Sequence, residues 1–216
     1  MNFSREDSKM LNAELRLIDV TFGYEDGKKL FDRLNVRLRS GQLLLVQGPN
    51  GSGKTTLLKL VAGLLKPQSG SILLNGIPAG DAGFSRIGYV MQRAEDQFFC
   101  ETVFDEIAFS ARNFGLDRIA ERVKEAVRSV GLTEDVLSKS PFQLSDGEAR
   151  RVAIACALVH EPLLVLFDEP LIGLDRVGKE IVRKILKEQK GKGKILIVTS
   201  HRSGNLSDLA DVVLRL

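Results

Sequence analysis

Short, nearly continuous apolar runs alternate along the chain with longer segments whose apolar residues recur at helical spacing. The runs predict strands that are buried on both faces of a sheet, and they lie at residues 43–47, 87–91, 163–167 and 195–199. The longer segments predict helices at residues 54–65, 147–159 and 177–189. Strands and helices in alternation are typical of an α/β fold with a mainly parallel sheet.

The middle of the chain has a different pattern. Residues 102–113 and 118–130 predict two helices, the second with an apolar stripe at Ile119, Val123, Val127 and Val130. We interpret residues 93–145 as a helical subdomain inserted into a single domain that spans residues 1–216. The α/β core then comprises residues 13–92 and 146–216. Two further strands are predicted near the N-terminus, at residues 15–20 and 72–74.

Composition narrows the class of protein. The 216 residues are 44% hydrophobic and carry a net charge of +3, with no block of like charge, which argues against a nucleic-acid partner. The longest apolar run, residues 152–159, is too short to span a membrane, and the polar N-terminus from Met1 to Met10 does not resemble a secretory signal. Cys100 and Cys156 lack metal-ligand and disulfide-framework spacing, so we expect reduced thiols in a cytosolic protein.

Residues 48–55 match the phosphate-binding pattern G-x-x-x-x-G-K-[ST], between a predicted strand and a predicted helix. The glycines allow successive backbone N–H groups to surround phosphate oxygens, and the helix N-terminus adds a favourable dipole. Lys54 is expected to reach the β- and γ-phosphates, and the Thr55 hydroxyl to bind Mg²⁺. The predicted nucleotide-binding residues of this loop are Gly48, Pro49, Asn50, Gly51, Ser52, Gly53, Lys54, Thr55 and Thr56.

Two acids, Asp168 and Glu169, directly follow the apolar run at residues 163–167. The sheet edge beside a phosphate loop is where Mg²⁺ is held and water is activated. We therefore expect Asp168 to bind the metal, directly or through water, and Glu169 to act as general base on the attacking water. The alternative, a solvated acidic turn before Pro170, is disfavoured by the phosphate loop upstream.

The sequence Leu144-Ser145-Asp146-Gly147-Glu148, followed by a basic pair and an apolar helix, resembles the signature motif of ATP-binding-cassette (ABC) ATPases. The resemblance extends over residues 13–216. It implies a P-loop α/β fold with a mainly parallel core sheet, an N-terminal antiparallel β region and an inserted helical subdomain. It also implies hydrolysis of ATP with Mg²⁺ as cofactor.

This resemblance implies roles for further residues. Tyr24 matches the aromatic residue that stacks on adenine, although a lone tyrosine is more often a packing residue. Gln92 matches the glutamine that contacts Mg²⁺ and senses a membrane partner, and His201 matches the switch histidine at the γ-phosphate. Asp175 matches the loop that crosses between two subunits.

In such ATPases two cassettes close head to tail, so that each signature meets the nucleotide of the other subunit. The resemblance implies that Ser145 and Gly147 donate hydrogen bonds to that γ-phosphate, with Asp146 and Glu148 beside them. A second ABC ATPase subunit is therefore an expected partner. Glu148, where glutamine is usual, is a mild variation.

Residues 94–99 and 102–109 are most similar to the energy-coupling-factor importers, which take up vitamins and transition-metal ions. The similarity implies an ATPase subunit that is peripheral on the cytoplasmic face of a membrane and binds separate transmembrane subunits. The alternatives are a soluble ABC ATPase of iron–sulfur assembly, ribosomes or DNA, and a small-molecule kinase. The kinase alternative leaves residues 144–148 and His201 unexplained.

Two positions depart from the family pattern. Asp146 stands where the signature usually has glycine, and Ile172 stands where a small or polar residue usually precedes the crossing loop. Both are expected to face the nucleotide of the partner subunit. Two hypotheses follow: tolerated variation in a homodimer, or a heterodimer in which a different cassette supplies the regular signature.

Overall fold

The structure is a computed structural model that describes residues 13–24, 29–78, 81, 87–201 and 206–216. The N-terminus from Met1 to Met10 lies outside these residues. One sheet is antiparallel and consists of β1 (Glu14–Gly23), β2 (Lys29–Arg39), β4 (Ser69–Leu74) and β5 (Ile77–Pro78), in the order β2-β1-β4-β5. The other is parallel and consists of β3 (Leu43–Gln47), β6 (Ile87–Val90), β7 (Leu164–Phe167), β8 (Ile195–Ser200) and β9 (Val212–Arg215), in the order β6-β7-β8-β3-β9.

The helices of the described residues lie between these strands. They are α1 (Lys54–Val61), α2 (Val103–Asn113), α3 (Ile119–Ser129), α4 (Asp146–Leu158) and α5 (Arg176–Gly191). Short 3₁₀ turns lie at Glu95–Gln97, Glu134–Ser138 and Pro141–Gln143. Helix α1 is four residues shorter than predicted, because the chain turns at Gly63, whose φ is +74°.

The central strands of the parallel sheet are apolar on both faces, as the unbroken runs predict. Leu44 and Val46 of β3 face a core shared with α1 and the antiparallel sheet. Leu43 and Leu45 face a second core, shared with α2, α3, α4 and α5. The predicted α/β class, with its parallel sheet and N-terminal antiparallel region, is confirmed.

This layering fixes where the polar motifs meet. Strands β3, β7 and β8 are parallel neighbours, so their carboxyl ends lie at one edge of the sheet. The phosphate loop follows β3, the acid pair follows β7, and His201 follows β8. One crevice at this edge therefore gathers motifs that are far apart in sequence.

Candidate active site

The phosphate loop joins the end of β3 to the first turn of α1. Gly51 and Gly53 adopt φ values of +78° and +99°, a region that glycine enters without strain. Gly48 is required for a different reason: a Cβ there would lie 2.8 Å from the carbonyl oxygen of Leu216 and would overlap the Ser52 hydroxyl. Within the described part of the chain, the Ser52 hydroxyl is buried without a hydrogen-bond partner, a donor that the loop can offer to phosphate.

Lys54 points back into its own loop. Its Nζ donates to the carbonyl oxygens of Gly48, at 2.9 Å, and Pro49, at 3.0 Å. The same ammonium lies 3.3 Å from Oε1 of Glu169, and both side chains are nearly buried, with 6% and 10% of their surfaces exposed. The predicted phosphate-binding lysine and the predicted general base are therefore in direct contact.

Asp168 accepts two hydrogen bonds that hold its carboxylate in place. Thr55 Oγ1 donates to Oδ2 at 2.7 Å, and Thr199 Oγ1 donates to Oδ1 at 2.7 Å. The backbone N–H of Asp168 donates to the carbonyl oxygen of Val90, at the end of β6. The predicted metal residues Thr55 and Asp168 thus meet, although 113 positions separate them in sequence.

Glu169 has a strained backbone, with a φ of +46° that a non-glycine residue seldom adopts. Its N–H donates to Thr199 Oγ1 at 2.8 Å. Thr199 is fully buried, and its single hydroxyl therefore positions both acids of the pair. Sequence reasoning missed Thr199, although a polar residue at the end of an apolar strand, two positions before His201, was an available signal.

His201 is exposed and lines a cavity of about 380 Å³ together with Asn50, Glu169 and Thr199. The cavity lies directly beside the Lys54–Glu169 pair. The structure thus brings the predicted switch histidine to the same space as the phosphate loop and the acid pair.

Tyr24 lies next to the first turn of α1. Its hydroxyl is 3.0 Å from Thr56 Oγ1 on α1, and its ring packs edge to face against Phe22, with centroids 5.2 Å apart. Nearly half of the Tyr24 side chain is exposed. An exposed aromatic ring held next to α1 can stack on a base whose phosphates occupy the loop.

The signature residues form the start of α4. Ser145 is the N-cap, and its hydroxyl accepts a hydrogen bond from the N–H of Glu148. The carboxylate of Glu148 in turn accepts from the N–H and the hydroxyl of Ser145. These hydrogen bonds lower the pKa of Glu148. Ser145 and Asp146 are exposed, so this helix start is accessible to a second molecule.

Asp146 and Ile172, the two residues that depart from the family pattern, line the same cavity of about 240 Å³ as Gln92. Arg150, one helical turn after Asp146, is buried and donates to the carbonyl oxygens of Met91, at 2.7 Å, and Gln92. Burial lowers the pKa of Arg150, and the carboxylates of Glu95, Asp168 and Asp146 oppose this effect. Arg150 therefore connects helix α4 to residues 91–92, which follow β6 and are called the Gln92 segment below. The sequence analysis did not predict this role.

Asp175 is the N-cap of α5, and its Oδ1 accepts from the N–H of Gly178 at 2.7 Å. A Cβ at Gly178 would lie 3.0 Å from this oxygen. The loop before Asp175 borders the cavities described above through Ile172 and Gly173. Among the described residues, no helix is both long and apolar enough to cross a membrane.

The parallel sheet, the phosphate loop and the adjoining acid pair define a P-loop nucleotide hydrolase. Comparisons with known proteins define the family within this class. The ABC transporter family profile matches residues 31–172. The energy-coupling factor transporter ATP-binding protein EcfA2 of Thermotoga maritima is 47% identical over 177 residues, which cover 81% of this chain and 66% of the relative.

Two solved structures share the fold. CbiO1 of Clostridium perfringens, part of the ABC transporter complex CbiONQ, superposes with a TM-score of 0.84 at 33% identity, covering 94% of this chain and 84% of the other. A dimeric ATP-binding cassette bound to ADP and phosphate superposes with a TM-score of 0.83 at 25% identity, covering 94% of each chain. This chain belongs to the ABC transporter family as an ATP-binding subunit with ATPase activity.

Proposed function

We propose that this chain powers an importer of the energy-coupling-factor type, with a vitamin or a transition-metal ion as cargo. The observation that carries the hydrolytic part is the contact between Lys54 and Glu169 beside the Thr55–Asp168 pair. The names of the relatives EcfA2 and CbiO1 support the importer part. The cargo does not have to touch this subunit.

In the proposed reaction, Lys54 binds the β- and γ-phosphates and Glu169 accepts a proton from the water that attacks the γ-phosphate. His201, which lines the shared cavity, would contact the γ-phosphate, and Tyr24 would stack on adenine. Phosphate oxygens would compete with Glu169 for the Lys54 ammonium. ATP binding therefore releases the carboxylate to act as base.

The oxygen atoms around Asp168 suit Mg²⁺, which prefers hard oxygen ligands. Thr55 Oγ1 and Asp168 Oδ2 lie 2.7 Å apart, so a hydroxyl and a carboxylate converge on one point. We assign Thr55, Asp168 and Gln92 as the residues that would hold the ion. Bound there, Mg²⁺ would neutralise part of the phosphate charge.

We further propose that two cassettes close head to tail around ATP. Ser145 and Gly147 would donate to the γ-phosphate held by the other subunit, beside the N-terminal dipole of α4. Asp175 and Ile172 would lie at the subunit boundary. A homodimer and a heterodimer with a different cassette both fit this arrangement.

The surface proposed to bind transmembrane subunits is an exposed aromatic patch next to the Gln92 segment. Phe99 and Phe109 stack edge to face with centroids 4.7 Å apart, and Phe142 packs against Phe98 in the same way at 6.4 Å. Phe99 and Phe142 are about 60% exposed. Such a patch is typical of an interaction site. This surface would place the subunit on the cytoplasmic face of the membrane.

The test compares Mg²⁺-dependent ATP hydrolysis by the chain alone, its Asp146→Gly variant and its Glu169→Gln variant. We expect Glu169→Gln to lower turnover by a factor of about 100 or more, because the general base is lost. Turnover by the unmodified chain equal to that of Asp146→Gly supports a homodimer. If the unmodified chain hydrolyses almost no ATP and Asp146→Gly is active, the result supports the heterodimer. Full activity of Glu169→Gln would refute the role of Glu169 as the general base.

A further inference from the structure

The hydroxyl of the signature serine is engaged inside its own chain. Ser145 Oγ donates to Oε2 of Glu148 at 2.7 Å, and the Ser145 N–H donates to the same oxygen at 3.0 Å. The return bond, from Glu148 N–H to Ser145 Oγ, is longer at 3.4 Å. One carboxylate oxygen therefore holds both donors of the residue that is proposed to meet the γ-phosphate of a second subunit.

A hydroxyl has a single proton to donate. Ser145 therefore cannot donate to Glu148 and to a phosphate oxygen at the same time. If a phosphate oxygen took the usual place about 2.8 Å from Ser145 Oγ, the Glu148 carboxylate would lie within about 5.5 Å of it unless the side chain moved. Two negative groups so close together repel each other.

We propose that Glu148 is a positioning residue that opposes closure of the ATP-bound dimer by holding the proton of the Ser145 hydroxyl. This inference rests on the proposed head-to-tail closure. Closure then requires the hydroxyl to exchange one acceptor for another. A glutamine at this position caps the helix equally well, since its amide oxygen accepts from the Ser145 N–H, but it carries no charge.

A purely structural role for Glu148 makes a different prediction. If Glu148 only caps α4, replacing it with glutamine leaves dimer affinity unchanged and alters thermal stability at most. If it restrains Ser145, Glu148→Gln tightens the ATP-bound dimer by about tenfold or more, because a neutral amide oxygen is a weaker acceptor than a carboxylate and releases the Ser145 hydroxyl to the phosphate at each of two sites. The tightening must also depend on the Ser145 hydroxyl.

The experiment measures the dissociation constant of the ATP-bound dimer by sedimentation velocity, with Glu169→Gln present throughout to prevent hydrolysis. Four proteins are compared: Glu169→Gln alone, Glu169→Gln with Glu148→Gln, Glu169→Gln with Ser145→Ala, and Glu169→Gln with both further changes. Glu121→Gln is the matched control, because Glu121 occupies the same third position of α3 but that helix has no side-chain cap. We expect Glu121→Gln to leave the constant unchanged.

Tightening by Glu148→Gln while Ser145 is intact, and loss of this tightening when Ser145→Ala is also present, supports the inference. An unchanged constant, or equal tightening with and without the serine hydroxyl, overturns it while leaving the proposed function intact. If none of the chains dimerises with ATP, closure between two copies of this chain is contradicted together with the inference. Melting temperatures measured in parallel show whether the helix cap has survived.

Discussion

Replacing Thr199 with valine tests the arrangement of the acid pair most directly. Valine has the same shape but lacks the hydroxyl that donates to Asp168 Oδ1 and accepts from the Glu169 N–H. Both groups are buried, and each unpaired buried polar group costs about 1–3 kcal/mol. We therefore expect a loss of about 2–6 kcal/mol in the free energy of unfolding, which lowers the melting temperature by about 4–24 °C.

The same substitution should lower ATP turnover by about 10- to 100-fold, since Glu169 loses the contact that fixes its backbone near a φ of +46°. The KM for ATP should change little, because Lys54 and its loop remain. Thr199→Ser is the control: it keeps the hydroxyl and should restore most of the turnover. Wild-type turnover and melting temperature in Thr199→Val, or equal damage by serine and valine, would refute this account of the site.

Two further predictions concern the loop and the acid stability of the fold. Gly48→Ala should weaken ATP binding, measured by calorimetry, by about tenfold or more, because the added Cβ would overlap the Ser52 hydroxyl and approach Leu216. Gly51→Ala is the comparison: its Cβ would meet nothing within 4 Å, but its φ of +78° strains any other residue, so it shows the effect of backbone strain without crowding. Burial lowers the pKa of His160 from 6.5 to about 4, so the unfolded state binds the proton first and stability falls as pH drops from about 6.5 to 4. The free energy of unfolding, measured by urea titration at pH 6.5 and at pH 4, should fall by up to about 3 kcal/mol less in His160→Phe than in the unmodified chain. An equal fall in both proteins would show that His160 does not cause this pH dependence.

The parts of the fold that were predicted are those with a strong local signal. The buried strands and the long helices lie close to their predicted positions. Strand β2 was missed because charged residues interrupt its alternation, and Arg33, with a φ of +51°, marks an irregular stretch of its pairing with β1. Strand β9 was missed because its apolar run, Val212 to Leu214, is only three residues long and no turn signal such as Asn75-Gly76 adjoins it.

In the site too, contiguous motifs could be predicted from the sequence, and residues that act through contacts with distant parts of the chain could not. The phosphate loop and the acid pair are contiguous motifs, whose residue types and spacing indicate their chemistry. Thr199 and Arg150 act through contacts with residues 30 to 59 positions away, so no local pattern carries them. Their signals were a polar residue ending an apolar strand and an arginine inside an apolar helix.

The proposed site between two subunits combines the acid pair of one subunit with the signature of the other, and the structure holds these two parts in different ways. Asp168 and Glu169 are held from separate elements, by Thr55 on α1, Thr199 on β8 and the end of β6, so a change in any of these disturbs the whole cluster. The signature is held by a capping box within four consecutive residues. Exposed substitutions there alter the charge presented to a second subunit while the fold is preserved. Variation that tunes dimer closure is therefore expected to collect at the signature, where this chain carries Asp146 and Glu148, and not around the acid pair.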